Sequence, residues 1–466
     1  MKLRGYAWAL TCFMCGCATQ SVPTETTTAA DTAPAAVQTE NSASETTAPA
    51  QTADVTPIPS DSNSQAVKTC PQKSANDALR KAQDNADVMI FESWPEETTL
   101  DNAHITDVIP VWLEAIENAK TSIDFSHYYA ITAPDTALES VIDALKAALK
   151  RGIKVRFLID KRMNNDANAE LPQALATLPG LELREIDYPA ITGGGVQHSK
   201  YFIVDGTTAY FGSQNFDWRS LEQISEMGAR LKPEILVNPL KQIFEIDWAL
   251  AKDPNAPIAQ SATCQTATDV DYKGENMHVE LVASPQKTLP CANMWDLPKM
   301  IALIGQAKSS VSVQLLNYAT TNYDKTTFME LDDALVAAAK RGVKVKLLVS
   351  DWSTKPKNMK DLKRLAQVEN FEARMIEIPE HSTGFVPYSR TIHSKFMIVD
   401  DADTWLGTSN WGGDYFYKSR NVGIIAHNKT LNAELTQSFE HYWNSKYAIV
   451  VDPNIDYPVK NQAKKQ

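Results

Sequence analysis

The sequence predicts an α/β fold built from two tandem copies of one domain, each a β-α-β-α unit with a mixed sheet, related by a pseudo-two-fold axis. Three observations predict it. Five blocks recur in the same order along the chain, each copy alternates strand-like and helix-like hydrophobic periodicity, and one block carries the same reactive side chains at the same spacing twice.

The blocks are short and ordered. Ala119–Ile123 answers Ala307–Val311, and Lys150–Val155 answers Lys340–Val345. His198–Asp205 answers His393–Asp400, Gly212–Asn215 answers Gly407–Asn410, and Phe244-Glu245 with Trp248 answers Phe439-Glu440 with Trp443. The offset drifts only from 188 to 195, which reads as a duplication with short loop insertions.

The chain begins as an address label. A basic start (Lys2, Arg4) precedes a short apolar run, far below the roughly 20 residues of a membrane-spanning helix. Gly16-Cys17 then resembles a bacterial lipobox, so residues 1–17 are expected to be a lipoprotein signal with Cys17 acylated as the first mature residue. Residues 18–66 are Thr, Ala, Ser and Pro with six carboxylates, no Lys or Arg and no aromatic residue. They cannot bury enough apolar area to offset chain entropy and are expected to be a disordered tether of about 40 Å root-mean-square reach. The expected localisation is export, with lipid anchoring in the bacterial envelope. After that cut the thiols left are Cys70, Cys264 and Cys291, enough for one disulfide whose pairing the sequence leaves open.

The first domain is expected over 67–255 and the second over 276–452, with the break in the polar stretch Lys252–Gly274. Ser122–Phe125 and Val311–Leu316 read as strands. Leu138, Val141, Ile142, Leu145 and Leu149 fall at helical spacing, closed by Gly152, and Leu331, Leu335 and Ala338 repeat this before Gly342. Lys154–Ile159 and Lys344–Val349 read as buried strands.

The net charge is −12, and the acidic linker still leaves −8 on residues 67–466. Such a body does not coat duplex nucleic acid by general electrostatics; a phosphate-bearing substrate needs a local positive site. The repeated block supplies one. In an extended segment residues i and i+2 share a face, so His198 and Lys200 emerge together, as do His393 and Lys395. Asn215 and Asn410 add amide donors, and Ser213 and Thr408 are expected to touch substrate. Two imidazoles and two ammoniums suit displacement at a phosphodiester. Fixed cations meet the charge on the non-bridging oxygens, one neutral imidazole attacks phosphorus, and a protonated one serves the leaving oxygen. No Cys/His cluster has metal-ligand spacing, and no metal or cofactor is expected; His104, His278, His381, His427 and His441 are assigned to surface or core. Glu226 lies 11 residues after Asn215, where the second copy has Asn421. A carboxylate behind His198 would make it the nucleophile and His393 the general acid. The plainer alternative pairs Glu226 with Arg219 or Arg230.

The pattern His-x-Lys-x₄-Asp-x₆-Gly-[Ser/Thr]-x-Asn, present twice, resembles the phospholipase D superfamily. The flanks Gly194-Gly195-Val196 and Asn215-Phe216-Asp217-Trp218-Arg219-Ser220-Leu221 are similar to the branch holding the poxvirus envelope phospholipase and the animal endolysosomal phospholipase-D-like 5′-exonucleases. The resemblance implies two tandem phospholipase-D-like α/β domains with the site between them. It implies that His, Lys and Asn act as argued; Asp205 and Asp400 enter the catalytic set with them, although in such families this Asp is often structural. It also implies metal-independent hydrolysis or transfer of a phospholipid head group at a membrane surface, through a phospho-histidine. The alternatives are a single-strand nuclease or 5′-exonuclease and a non-catalytic binding module. Around the motifs, His127-Tyr128-Tyr129 is read as core before pocket lining, and Gly193–Gly195 as a flexible turn before a phosphate cradle. Trp218 and Trp411 are read as structural or as substrate contacts.

Overall fold

The computed structural model describes residues 80–81, 85–165, 168–460 and 462–463. The expectations of a signal over 1–17, an acylated Cys17 and a tether over 18–66, together with Cys70, fall outside the described residues. Among the described residues no helix is long and apolar enough to cross a membrane.

In the first copy the strands are β1 (Val88–Ser93), β2 (Thr106–Asp107), β3 (Ser122–Ser126), β4 (Ala130–Ile131), β5 (Lys154–Asp160), β6 (Leu181–Ile186), β7 (Tyr201–Val204), β8 (Thr208–Gly212), β9 (Phe216–Asp217) and β10 (Ile224–Leu231). In the second they are β11 (Ala267–Tyr272), β12 (Glu275–Ser284), β13 (Ser310–Leu315), β14 (Lys344–Ser350), β15 (Phe371–Ile376), β16 (Thr391–Ile392), β17 (Phe396–Val399), β18 (Asp403–Gly407), β19 (Asn421–His427) and β20 (Ala448–Val450). The sheet orders are β2-β1-β10-β8-β7-β3-β5-β6 and β11-β12-β19-β18-β17-β13-β14-β15-β20. Both are mixed. β3, β5 and β6 run parallel, as do β13, β14 and β15, whereas the motif strands β7 and β17 are antiparallel to β3 and β13.

Local chemistry explains the repeated blocks. The helix Ala137–Lys150 buries Leu138, Val141, Ile142, Leu145 and Ala148, and Gly152 at φ +89° turns the chain out of it. Arg151 then donates to the Ile116 carbonyl and Arg341 to the Ile304 carbonyl, satisfying the open C-terminal ends of the helices Val108–Asn118 and Asp296–Gln306. The Phe-Glu-x-x-Trp block is a clasp. Arg156 lies 4.6 Å from the Phe244 ring centroid and pairs with Glu245, while Arg184 lies 4.1 Å over Trp248. In the second copy Lys346 pairs with Glu440, and Arg374 lies 4.5 Å over Trp443. The clasps fix the last helix of each copy, Glu234–Lys252 and Lys429–Trp443, against its own sheet.

Those two helices also feed a core that belongs to both copies. Leu236, Leu240 and Phe244 share one buried cluster with Val270, Met277 and Val279, and Leu431, Leu435 and Phe439 complete it. The exchange extends to the backbone. β16 adds to β10 in parallel, with Ser225 opposite Ile392, and Gln197 bridges Arg420 at the head of β19. The His393 N–H donates to Ser225 O at 2.7 Å and the His198 N–H to Arg420 O at 3.0 Å. Ser225 and Arg420 are 195 residues apart, so this is the expected pseudo-two-fold relation seen at the hydrogen-bond level.

One boundary is corrected. β11 falls inside the polar stretch assigned to the break, so the second sheet begins at Ala267, before residue 276. As an edge strand it buries Val270 and Tyr272 but turns Asp269 and Asp271 to solvent, which gives it a linker's composition. Of the three thiols, Cys264 pairs with Cys291 across a Cα–Cα distance of 5.8 Å.

Candidate active site

The extended segments just before β7 and β17 bring His198, Lys200, His393 and Lys395 into one buried cluster, each charge felt by the others. The two ammoniums donate back to the carbonyls of their own histidines, Lys200 to His198 O and Lys395 to His393 O. Burial lowers both histidines well below their usual value, with the lysines adding to the effect. It also lowers Lys200, and it brings Lys395 down to about 7 against the pull of Glu226. A bound phosphate anion would favour the charged forms of the lysines and of the histidines alike, so the cluster is suited to hold negative charge. Asn215 and Asn410 are buried, and the Asn410 amide approaches the Tyr415 hydroxyl.

What stands behind each imidazole comes from the other copy. Glu226 Oε2 lies 2.7 Å from His393 Nδ1, and Asn421 Oδ1 lies 3.0 Å from His198 Nδ1. The expectation that Glu226 backs His198 is therefore corrected: the half-exchange of strands carries β10 to the second motif and β19 to the first. The alternative pairing with Arg219 or Arg230 is not what Glu226 makes. Arg219 is bound to Asp217, while Glu226 also accepts from Ser220 Oγ at 2.9 Å. Burial raises Glu226 to about 7, opposed first by Lys395.

Above the histidines, Tyr128 and Tyr415 flank the His198 ring at 5.3 and 4.9 Å between centroids. They open onto a cleft of about 500 Å³ that also includes Arg162, Tyr323, Asp324, Asp414 and Lys418. A smaller cleft of about 150 Å³ reaches Asn410 past Tyr323, Lys355 and Lys357. Among the described residues no group of three or more His, Cys, Asp or Glu side chains is placed to hold a metal ion.

Comparison with known proteins agrees with this geometry. The protein family described as "Cardiolipin synthase, PLD-like domain" matches residues 112–248 and 300–443, more than half of the chain and one match per copy. The chain belongs to the phospholipase D-like family. It is similar to phospholipase D Z of Dictyostelium discoideum, at 30% identity over 78% of this chain and 90% of that protein. It is also similar to the 5′-3′ exonuclease PLD3 of Xenopus laevis, at 30% identity over 79% of this chain and 82% of the relative. Among solved structures, phosphatidylserine synthase of Haemophilus influenzae Rd KW20 shares the fold, with a TM-score of 0.56 and 13% identity over 81% of this chain and 92% of the other. The chain is thus a phosphodiesterase of the phospholipase D-like class.

Within this phospholipase D-like chain several expected roles change. Asp205 and Asp400 sit at the far ends of β7 and β17 from the histidines. Asp205 accepts from the backbone N–H groups of Lys120, Thr121 and Ser122 and from the Thr121 hydroxyl; Asp400 does the same with Lys308, Ser309 and Ser310. Both take φ near +50°, which Asp tolerates better than most residues. They tie the turn after each motif strand to the start of its neighbour and lie away from the catalytic groups, and they explain why the block around Ala119-Lys120-Thr121 recurs at Ala307-Lys308-Ser309. Their hydrogen bonds hold Asp205 below the usual carboxylate range and Asp400 at about 2. The resulting stability is present above the ordinary value near 4 and is lost as pH falls toward 2. Asp205→Ala and Asp400→Ala should each cost about 1–3 kcal/mol in urea unfolding while leaving kcat of the folded fraction within about threefold.

The substrate-binding expectation for Ser213 and Thr408 is corrected too. The Ser213 hydroxyl bridges the N–H and carbonyl of Met227 and steadies Glu226. Thr408 donates to Asn421 Oδ1 at 3.0 Å and accepts from the Val422 N–H. Each hydroxyl positions the residue that backs a histidine of the other copy. Gly195 is neither a cradle nor merely flexible: at φ +74°, its Cβ would lie 2.2 Å from Lys418 O, so only Gly lets this loop close on the second copy. His127 is core, caged by Trp112, Phe125, Phe157 and Phe216 and lowered by burial to about 3. Trp411 is buried against Trp405, and Trp218 packs on the first core. Tyr128 lines the cleft and is not core, and Tyr415 and Tyr323 line it with no motif in the sequence to mark them. Asn421 occupies the position that matches Glu226, and that match is the sequence signal that it too backs a histidine.

Proposed function

We propose that the protein cleaves or transfers phospholipid head groups by two in-line displacements through a phospho-histidine on His393, with His198 as acid and then base. The crossed pairing of Glu226 with His393 carries this reading. In the first step His393 Nε2 bonds to phosphorus, the bond to the leaving oxygen breaks, and that oxygen takes the Nε2 proton of His198. The carboxylate of Glu226 balances the positive charge that forms on His393, whereas the neutral amide of Asn421 leaves a protonated His198 acidic. In the second step His198 removes a proton from water or an acceptor alcohol, whose oxygen displaces His393. Lys200, Lys395, Asn215 and Asn410 meet the charge on the non-bridging oxygens, and no metal is assigned a role.

The large cleft supports a substrate with one reacting phosphate and a polar head group. Its cations are largely answered, Lys418 by Asp324 and Asp414, and Arg162 by Asp160. The resemblance of Gly16-Cys17 to a lipobox supports a body tethered to a membrane of the bacterial envelope. A second reading, cleavage at the end of a single-stranded nucleic acid, is favoured by the smaller cleft. There Tyr323 is 74% exposed, Lys357 sits 5.3 Å over its ring, and Lys355 stands beside them.

Purified protein should release head group from phosphatidylglycerol or cardiolipin vesicles in the presence of EDTA, and His198→Ala or His393→Ala should abolish it. Head-group release at background level, with His198-dependent release of nucleotides from a 5′-labelled oligonucleotide, would replace the first reading by the second.

A further inference from the structure

We propose that His278 and His427 form a two-ligand surface site for a divalent transition-metal ion completed by water, with Asp269 and Asp403 orienting the two rings from behind. Neither the sequence spacing nor the phosphodiesterase site accounts for these residues. The fold alone brings them together: in the register of four adjacent antiparallel strands, Asp269 on β11 lies opposite His278 on β12. His278 lies opposite His427 on β19, and His427 opposite Asp403 on β18.

Residues directly opposite in antiparallel strands share a face, with Cβ atoms about 4.5–5.5 Å apart. Here the shared face is the outer one. Val270, Met277, Val279, Thr404 and Ala426 point inward and are buried, while the two histidine side chains are 57% and 65% exposed. Each ring is oriented from behind by a carboxylate, His278 Nδ1 at 2.9 Å from Asp269 Oδ1 and His427 Nδ1 at 2.7 Å from Asp403 Oδ1. An Nδ1–H given to a carboxylate fixes the tautomer that leaves Nε2 with its lone pair, the arrangement that supports histidine ligands of bound metals. Two such carboxylate–histidine units stand side by side. The spacing of opposite Cβ atoms suits two imidazoles meeting one ion at metal–nitrogen distances of about 2 Å, and imidazole pairs select zinc, copper or nickel over magnesium or calcium. Glu280, the next outward residue of β12, is occupied by Lys299 and Thr266, which leaves the pair and water as ligands. The site lies at the opposite end of β19 from Asn421, about 20 Å along the strand.

The test is titration of the chelator-treated full chain with Zn²⁺ by calorimetry and with Cu²⁺ by electron paramagnetic resonance. The expected result is one equivalent bound, with nitrogen couplings in the copper spectrum. His278→Ala with His427→Ala should remove that equivalent, and Asp269→Asn or Asp403→Asn should weaken it about 10-fold or more. The double histidine variant should retain wild-type phosphodiesterase activity, which reports an intact fold, and His198→Ala should bind metal as the wild type does. The proposal is overturned if the wild type binds no equivalent, or if the double variant binds as well as the wild type.

Discussion

His198→Ala protein mixed with an activated phosphodiester and quenched in alkali should carry phosphate on His393, and His393→Ala protein should carry none. An activated leaving group departs without an acid, so the first step survives loss of His198. The second step needs a base to prepare water, and it stalls. Glu226→Gln sharpens the assignment, because Gln preserves the shape behind His393 and removes the charge that offsets the imidazolium. By analogy with a triad whose carboxylate is replaced by an amide, kcat should fall about 10²–10⁴-fold. Asn421→Ala removes only a neutral acceptor from behind His198 and should cost less. Phosphate found on His198 in the His393→Ala protein, or a Glu226→Gln protein with unchanged kcat, would reverse the roles. Glu226 then would be retained for its bond to Ser220 rather than for charge.

The extent to which the sequence disclosed this site follows from what each signal encodes. His198, Lys200, His393 and Lys395 were legible because their spacing is local and doubled. The helices and central strands were legible because apolar side chains such as Leu138, Val141 and Leu145 mark a buried stripe. The sequence marks Glu226 but not which histidine it serves, since linear distance ties it to its own copy while β16 and β10 exchange partners across the two-fold axis. Asp205 is near the catalytic residues in sequence, yet the strand between them carries it to the opposite end of β7. β11 escaped notice because an edge strand needs only Val270 and Tyr272 inside. His278 and His427 stand 149 residues apart, and only sheet register makes them neighbours.

The same exchange implies an asymmetry in stability, and Asp247→Ala should expose it with a loss of about 3–5 kcal/mol in urea unfolding. Asp247, on the last helix of the first copy, and Arg420, at the head of β19, are both fully buried. Their fork has two contacts of 2.8 Å, Nε to Oδ2 and Nη2 to Oδ1. Tyr188 donates to Asp247 as well, and the guanidinium donates to the carbonyls of Ser284 and Thr288. Removing the carboxylate leaves a guanidinium in the shared core with only the neutral Ser284 and Thr288 carbonyls and the Thr288 hydroxyl as partners, and a buried charge without a counter-charge is costly. The equivalent pair across the two-fold axis is Ser225 and Tyr442, uncharged and with no stake in the fork, so the second copy offers no substitute. Replacing both partners by apolar residues, Asp247→Leu with Arg420→Met, should recover most of the loss, because the desolvation of both charges disappears together. Recovery of stability should not bring full activity. Arg420 O holds the His198 N–H and the next residue is Asn421, so any drift of that segment moves the acid away from the leaving oxygen. Equal urea midpoints for Asp247→Ala and the wild type would show that the ion pair does not hold the copies together. A double variant with wild-type kcat would show that it does not position His198.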